Sequence, residues 1–357
     1  MSSKWTRWIP AALVPVVAVT GAVLIPIAAD ATPALPEKSP QQLLEFIAGS
    51  ADAQYSGTVD QTANLGLPDL SSLGSSYGSG SDSTVSAAVE LLTGTNSARV
   101  FVGGADTARI QLKDTLAERD VIRKGSELWT YDSKTNAVQH MSAPAGTAPD
   151  AGVTKTPAEL ATGLIENLER STKVTVTETA RVAGRAVYQL VLTPTDDATL
   201  VGSVILSVDS ETGLPLDVRV FAAGHNDAAF SVGFSSIDFG AQDAGLFSFT
   251  PPAGATVEEH QIGDHGEDAS ATREFTEPEI SGVGWTSIVE ISAESARGIT
   301  GADGGDPSVT GLLDQVLVPV SGGRALETSL VSVLLTSDGR VLVGAVSIDQ
   351  LQAAAAK

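Results

Sequence analysis

The chain has 357 residues, no cysteine, 42% hydrophobic residues and a formal net charge of −22. The missing cysteine excludes disulfides, thiolate catalysis, thiolate zinc sites and acylation of a cysteine. The charge excludes nucleic acid and anionic membrane surfaces as electrostatic partners, while the length suits two domains with a real apolar core.

Lys4 and Arg7 precede an apolar run from Trp8 to Ala29, and Ala29-Asp30-Ala31 fits a small-x-small cleavage pattern. Residues 1–31 therefore read as a signal peptide or an N-terminal membrane anchor, and either places the remainder outside the cytoplasm. A helix begins at Ser39-Pro40-Gln41-Gln42, with a hydroxyl cap, proline at the first helical position and glutamine three residues after the cap. Alternating apolar patterns then predict strands at 57–62, 85–92, 98–102, 108–112, 120–123, 128–131 and 137–140. Thr156-Pro157-Ala158-Glu159 opens a second capped helix that ends at Ser171. Strands resume at 174–179 and 187–192 and continue through the stretch 201–259, where Asp209-Ser210-Glu211-Thr212-Gly213 is the turn of a hairpin. Phe247-Ser248-Phe249-Thr250 reads as a last strand closed by Pro251-Pro252.

Two stretches lack such patterning. Residues 71–83 are a Gly/Ser loop, and 257–280 read as an acidic, self-repelling linker. A small C-terminal unit, 281–357, follows, with a hairpin around Ser337-Asp338-Gly339 and a terminal helix from Ile348. Helix, strands, helix and more strands make an α+β class with an antiparallel sheet and helices on one side.

Chemistry-bearing motifs are sparse. Gly74-Ser75-Ser76-Tyr77-Gly78 has nucleophile-elbow spacing but sits in the Gly/Ser loop, where such spacing arises by chance. His260 and His265 with Glu259 and Asp264 have the donor types for a divalent metal, yet they lie in the acidic run, where a solvated charge cluster explains them. No phosphate loop or dinucleotide fingerprint occurs. The reading is a non-enzyme with no catalytic residue, metal or cofactor.

The segments Gly125-Ser126-Glu127-Leu128-Trp129-Thr130-Tyr131-Asp132, then Asp209 to Leu216 (DSETGLPL), then Phe247 to Val257 (FSFTPPAGATV), resemble in order and spacing the LolA-type lipoprotein carriers. They are similar as well to the RseB/MucB-type regulators of envelope stress and the LppX/LprG-like lipid-binding proteins. The resemblance covers roughly Ser39 to Glu259 and places a domain at 39–256. It implies a strongly curved antiparallel half-barrel covered by helices, with acyl chains of a lipid or lipoprotein held beneath them. The cavity candidates are Ile110, Trp129, Tyr188, Leu190, Leu206, Phe230 and Phe234. Of Trp129 and Tyr131, one ring should enter the core or cavity and the other face the lid or solvent. The apolar residues alone fit an ordinary sheet-helix core equally well. The resemblance adds two functional expectations: a monomeric extracytoplasmic carrier or chaperone, or a membrane-anchored regulatory or scaffold protein with a membrane-bound protein partner. The lid-tying arginine of the carriers has no clear counterpart among Arg99, Arg109 and Arg119.

Overall fold

A computed structural model describes residues 35–67, 94–113, 117–142, 171–261, 278–300 and 316–357. The capped helix forms as expected: α1 (Pro40–Ala48) has Ser39 Oγ accepting from the Gln42 amide at 3.2 Å, while Gln42 Oε1 accepts from the Ser39 amide at 2.9 Å. Its apolar spacing turns Leu43 and Ile47 into the protein.

The strands of the larger unit are β1 (Gln54–Ala63), β2 (Gly94–Gly103), β3 (Thr107–Lys113), β4 (Glu118–Lys124), β5 (Glu127–Asp132), β6 (Ala137–Ser142), β7 (Thr172–Val182), β8 (Arg185–Pro194), β9 (Val201–Asp209), β10 (Pro215–Ala222), β11 (Ala228–Phe239) and β12 (Thr256–Gln261). They make one twelve-stranded sheet in the order β12-β6-β5-β4-β3-β2-β1-β11-β10-β9-β8-β7. The strands expected between 98 and 192 are all present and run a few residues longer at their ends. The one expected at 85–92 and the helix at 156–171 fall, but for Ser171, outside the described residues.

The alternation of β-strand side chains gives this sheet two chemically distinct faces. Directly paired residues set one row across the sheet: Val176, Leu190, Leu206, Val218, Val232, Gln61 and Asn96. The next runs Val174, Leu192, Val204, Val220, Phe230 and Ala63. On the other side of β1 the same face carries Val100, Ile110 and Val121. Leu43 and Ile47 of α1 join the buried cluster formed by these rows, so this is the α1 face.

Two expectations need correction. Cover by helices is seen only in part: among the described residues α1 alone lies on the sheet. Its nine residues reach ~14 Å, whereas twelve strands at ~4.8 Å spacing extend ~50 Å. Residues 247–250 are not a strand either; 244–247 form one 3₁₀ turn, and the ladder resumes only at β12, which takes the first residues of the expected linker. The turn forms because Asp243 Oδ1 accepts from the Gly245 amide at 2.8 Å and Phe247 is buried against Gly103, where a Cβ would stand 2.9 Å from the Phe247 ring. The two prolines then follow it without a ladder to break.

The DSETG segment is the β9–β10 hairpin turn. Asp209 Oδ1 accepts from the Thr212 amide and hydroxyl, both at 2.8 Å, and from the Glu211 amide at 3.1 Å. Arg185 clamps the same carboxylate through Nε and Nη2 and reaches Glu211 at 2.8 Å. Gly213 closes the turn at φ +77°, beneath the carbonyl of Phe46 at the end of α1.

The C-terminal unit is a second sheet, in the order β13-β14-β18-β17-β16-β15. Its elements are β13 (Glu279–Ser281), β14 (Ile288–Ile291), α2 (Ala293–Thr300), β15 (Val318–Val320), β16 (Gly323–Glu327), β17 (Ser332–Thr336), β18 (Val341–Gly344) and α3 (Ile348–Ala355). The expected hairpin and terminal helix are β17–β18 and α3, whose Leu351 is packed with Leu334 and Leu342. This unit is joined to the large sheet directly. The Leu200 amide and Thr199 hydroxyl both donate to Ala345 O at 2.8 Å. The Ser329 amide donates to Leu65 O at 2.9 Å, Trp285 Nε1 donates to Thr172 Oγ1 at 2.8 Å, and Leu330 is buried in the large sheet's cluster.

Two stability predictions follow from the hairpin. A methyl group at position 213 would sit 2.4 Å from Phe46 O at a φ that disfavours any side chain. Gly213→Ala should therefore cost about 1–3 kcal/mol in chemical denaturation. Burial pushes the Asp209 carboxyl up, but hydrogen bonds from Arg185 and Thr212 outweigh it and hold the group below the usual carboxylate range. A carboxylate depressed in the fold stabilises above its unfolded pKa of about 3.9 and loses that stabilisation as pH falls through the folded value. Asp209→Asn should thus cost about 1–3 kcal/mol near neutrality and progressively less in acid, read from urea midpoints across pH; a loss equal at every pH would contradict this.

Candidate ligand-binding face

Pairing register decides which candidate side chains share a surface. Ile110, Tyr188, Leu190, Leu206, Phe230 and Phe234 all stand on the α1 face. Trp129 does not. It belongs to the row Phe101, Arg109, Ile122, Trp129 and His140 on the opposite, outer face. Tyr131, two residues on, shares the outer face with it, so neither ring enters the α1 face.

Two regions differ along the α1 face. Over β8 to β11 the centre of the face is buried: Leu190, Leu206 and Val208 are fully buried, and Tyr188 is buried with its hydroxyl donating to Pro36 O at 2.9 Å, while Val174, Val176, Val220 and Phe230 around them are half-buried. The Lys38 ammonium lies 4.7 Å from the Phe46 ring centroid and 5.6 Å from that of Tyr188, capping this end. Over β3 to β6 the same face is half-buried at Ile110, Leu112, Val121 and Met141 and fully buried at Leu128. The boundary is polar. Gln61, 7% exposed, ends the Leu190 row and accepts from Asn96 Nδ2 at 2.8 Å. Arg119 and Arg123 stand on this face of β4, either side of Val121.

The outer face is aromatic and polar by turns. Trp129 stacks on His140 at 3.8 Å and touches Phe249, and His140 pairs with Glu127. Arg109 bonds Asp120 at 2.5 Å and Leu246 O at 3.3 Å, pinning the 3₁₀ turn to the sheet. Arg109 is thus committed to the outer face and does not reach a helix over the apolar one. Further along, burial raises the Asp217 carboxyl against the opposing bonds from Arg219 and Ser207. A depression of about 370 Å³ lies beside Ser203, Ile205, Phe221 and His225, also on the outer side.

This arrangement can remove alkyl surface from water; nothing in it resembles a nucleophile with a base. Among the described residues no group of three or more His, Asp and Glu side chains could hold a metal. His260 and Glu259 are neighbours on exposed β12, and His265, Asp264 and Ser76 lie outside the described residues. His225 is a turn residue whose Nδ1 lies 3.0 Å from Ala223 O. The Gln61–Asn96 pair and the Arg185 clamp escaped sequence reading. An Asx-turn signal at Asp209 was present, but nothing local names a partner 24 residues away.

Residues 97–244, from within β2 to the first residue of the 3₁₀ turn, match the family model described as the MucB/RseB N-terminal domain. This part of the large sheet is similar to that domain. A solved MucA/MucB complex from Pseudomonas aeruginosa aligns with 87% of this chain and 95% of that chain, at 15% identity and a TM-score of 0.42. MucB in complex with MucA(peri) aligns with 88% of this chain and 96% of that one, at 15% identity and a TM-score of 0.43. A LolA superfamily protein from Nitrosomonas europaea aligns with 60% of this chain and 99% of that one, at 12% identity and a TM-score of 0.26. No curated protein matches the chain in sequence. The MucB/RseB-like match begins after β1 and leaves the C-terminal unit outside it.

Placement on two faces gives a separable outcome. Trp129→Ala should leave the packing of the α1 face intact while exposing Phe249 and freeing His140, seen as a loss of intrinsic fluorescence and of a few degrees in melting temperature. Leu206→Ala should cost about 2–5 kcal/mol in denaturant, because its neighbours Leu190 and Val218 cannot collapse into the space.

Proposed function

We propose that this protein is an extracytoplasmic binding protein whose MucB/RseB-like domain shields acyl chains of a lipid or lipoprotein, without covalent chemistry. The observation that carries the reading is the apolar α1 face, buried at its centre around Leu190 and Leu206 and continuing over β3 to β6 with Ile110, Leu112, Val121 and Met141 half-buried. An antiparallel sheet commonly packs one face on the core and leaves the other solvated. Among the described residues the apolar face extends beyond α1. Each CH₂ moved from water onto such a face is worth about 0.8 kcal/mol, so a chain of about fourteen carbons offers on the order of ten before ordering costs. The export reading of residues 1–31 supports a location outside the cytoplasmic membrane. No helix among the described residues is long and apolar enough to cross a membrane.

A second reading is a regulatory or scaffold protein of the cell envelope. It is favoured by the direct attachment of the C-terminal unit at Thr199, Leu65 and Thr172, which makes one composite surface of the two sheets. In that case a membrane-bound protein is the partner and an uncleaved N-terminal segment is the anchor. N-terminal sequencing of the mature chain separates them: a start at Thr32 frees the protein to move, and a retained Met1 or Ser2 fixes it.

Uptake of a fluorescent fatty acid tests the first reading. Binding should saturate at one or two chains per protein, and Ile110→Glu, which places a charge on the half-buried part of the face, should weaken it at least tenfold with the fold retained in circular dichroism. Unchanged uptake by Ile110→Glu would remove this face from the account.

A further inference from the structure

Strand β12 is held unlike the other described strands. Its ladder with β6 is parallel, from Thr256 beside Ala137 to Gln261 beside Ser142, while the other registered pairs of both sheets are antiparallel. All six side chains are exposed, Val257 at 42%. Strands ordinarily gain from cross-strand packing on at least one face; β12 gains backbone hydrogen bonds, in the weaker of the two ladder geometries. It also brings Glu258 and Glu259 to the edge of a chain whose net charge is −22. The acceptor is the reverse. In β6, Val138 is fully buried, and His140 is fixed by its stack on Trp129 and its pair with Glu127. A firmly built edge is filled by a loosely held strand.

We propose that the β6 edge is a strand-acceptor site for a second protein and that β12 is its displaceable placeholder. The occupant is an extended basic segment. It adds to the sheet through its main chain, as an edge strand does in β-augmentation, and its Lys or Arg side chains replace Glu258 and Glu259 beside Gln139, His140 and Glu127. Cationic side chains are favoured by the strongly negative field of the chain, and an antiparallel occupant would exchange a weaker ladder for a stronger one. This surface is separate from the acyl-binding face and stands without it.

The absence of native cysteine allows a direct test on the full chain. Gln139 and Glu258 are register partners, so Gln139→Cys with Glu258→Cys locks β12 in place when oxidised. The probe is a fluorescein-labelled eight-residue peptide of alternating lysine and valine, followed by anisotropy. The reduced double variant and the wild type should bind it, oxidation should weaken binding at least tenfold, and reductant should restore it. A peptide with glutamate in place of lysine should bind at least tenfold less well. Amide exchange in the free protein should be at least tenfold faster at 256–261 than at 127–132. Equal affinity in the oxidised and reduced states, no binding by the wild type, or equal protection of the two segments would overturn the proposal.

Discussion

An apolar sheet face must be kept from water, and in this protein that demand shapes everything around it. The rows through Leu190–Leu206–Val218–Val232 and Leu192–Val204–Val220–Phe230 come from apolar residues at alternate positions in four consecutive strands. They explain why α1 is capped at Ser39 and presses its end on the Gly213 turn, and why Leu330 of the C-terminal unit reaches into the same cluster. They also define a limit. Among the described residues one short helix seals part of the face, and Ile110, Leu112, Val121 and Met141 over β3 to β6 stay half-buried.

The polar groups are arranged to respect this division. Asp209 and Arg185 tie the hairpin at the end of the sheet; Ser207, Asp217 and Arg219 bond one another on the outer side; Arg109 and Asp120 hold the 3₁₀ turn there. Gln61 and Asn96 are instead an amide pair set into the α1 face, which also carries Arg119 and Arg123 of β4. A buried amide costs little only when its partner is present, so this pair specifies the register of β1 against β2.

Much of the sheet was legible because period-two patterns and turn residues are local signals. The Ser39 cap, the DSETG hairpin and the Ser337-Asp338-Gly339 hairpin were readable from a few adjacent residues each. The misreadings concern non-local facts. Phe247-Ser248-Phe249-Thr250 alternates like a strand, but Asp243 and the slot above Gly103 make a turn of its start. Trp129 looks like a cavity residue until register assigns its face, which depends on pairings through four other strands. The acidic run after Pro252 has the composition of a linker, yet its first residues pair with β6, because backbone hydrogen bonds are indifferent to side-chain charge.

The account rests on the α1 face receiving an acyl chain. Mass spectrometry of the full-length protein, purified gently and kept under native conditions, measures this most directly. The account predicts a co-purifying acyl-bearing lipid in near-stoichiometric amount, released on unfolding. A protein that emerges lipid-free, and remains so after incubation with long-chain lipid, would contradict it.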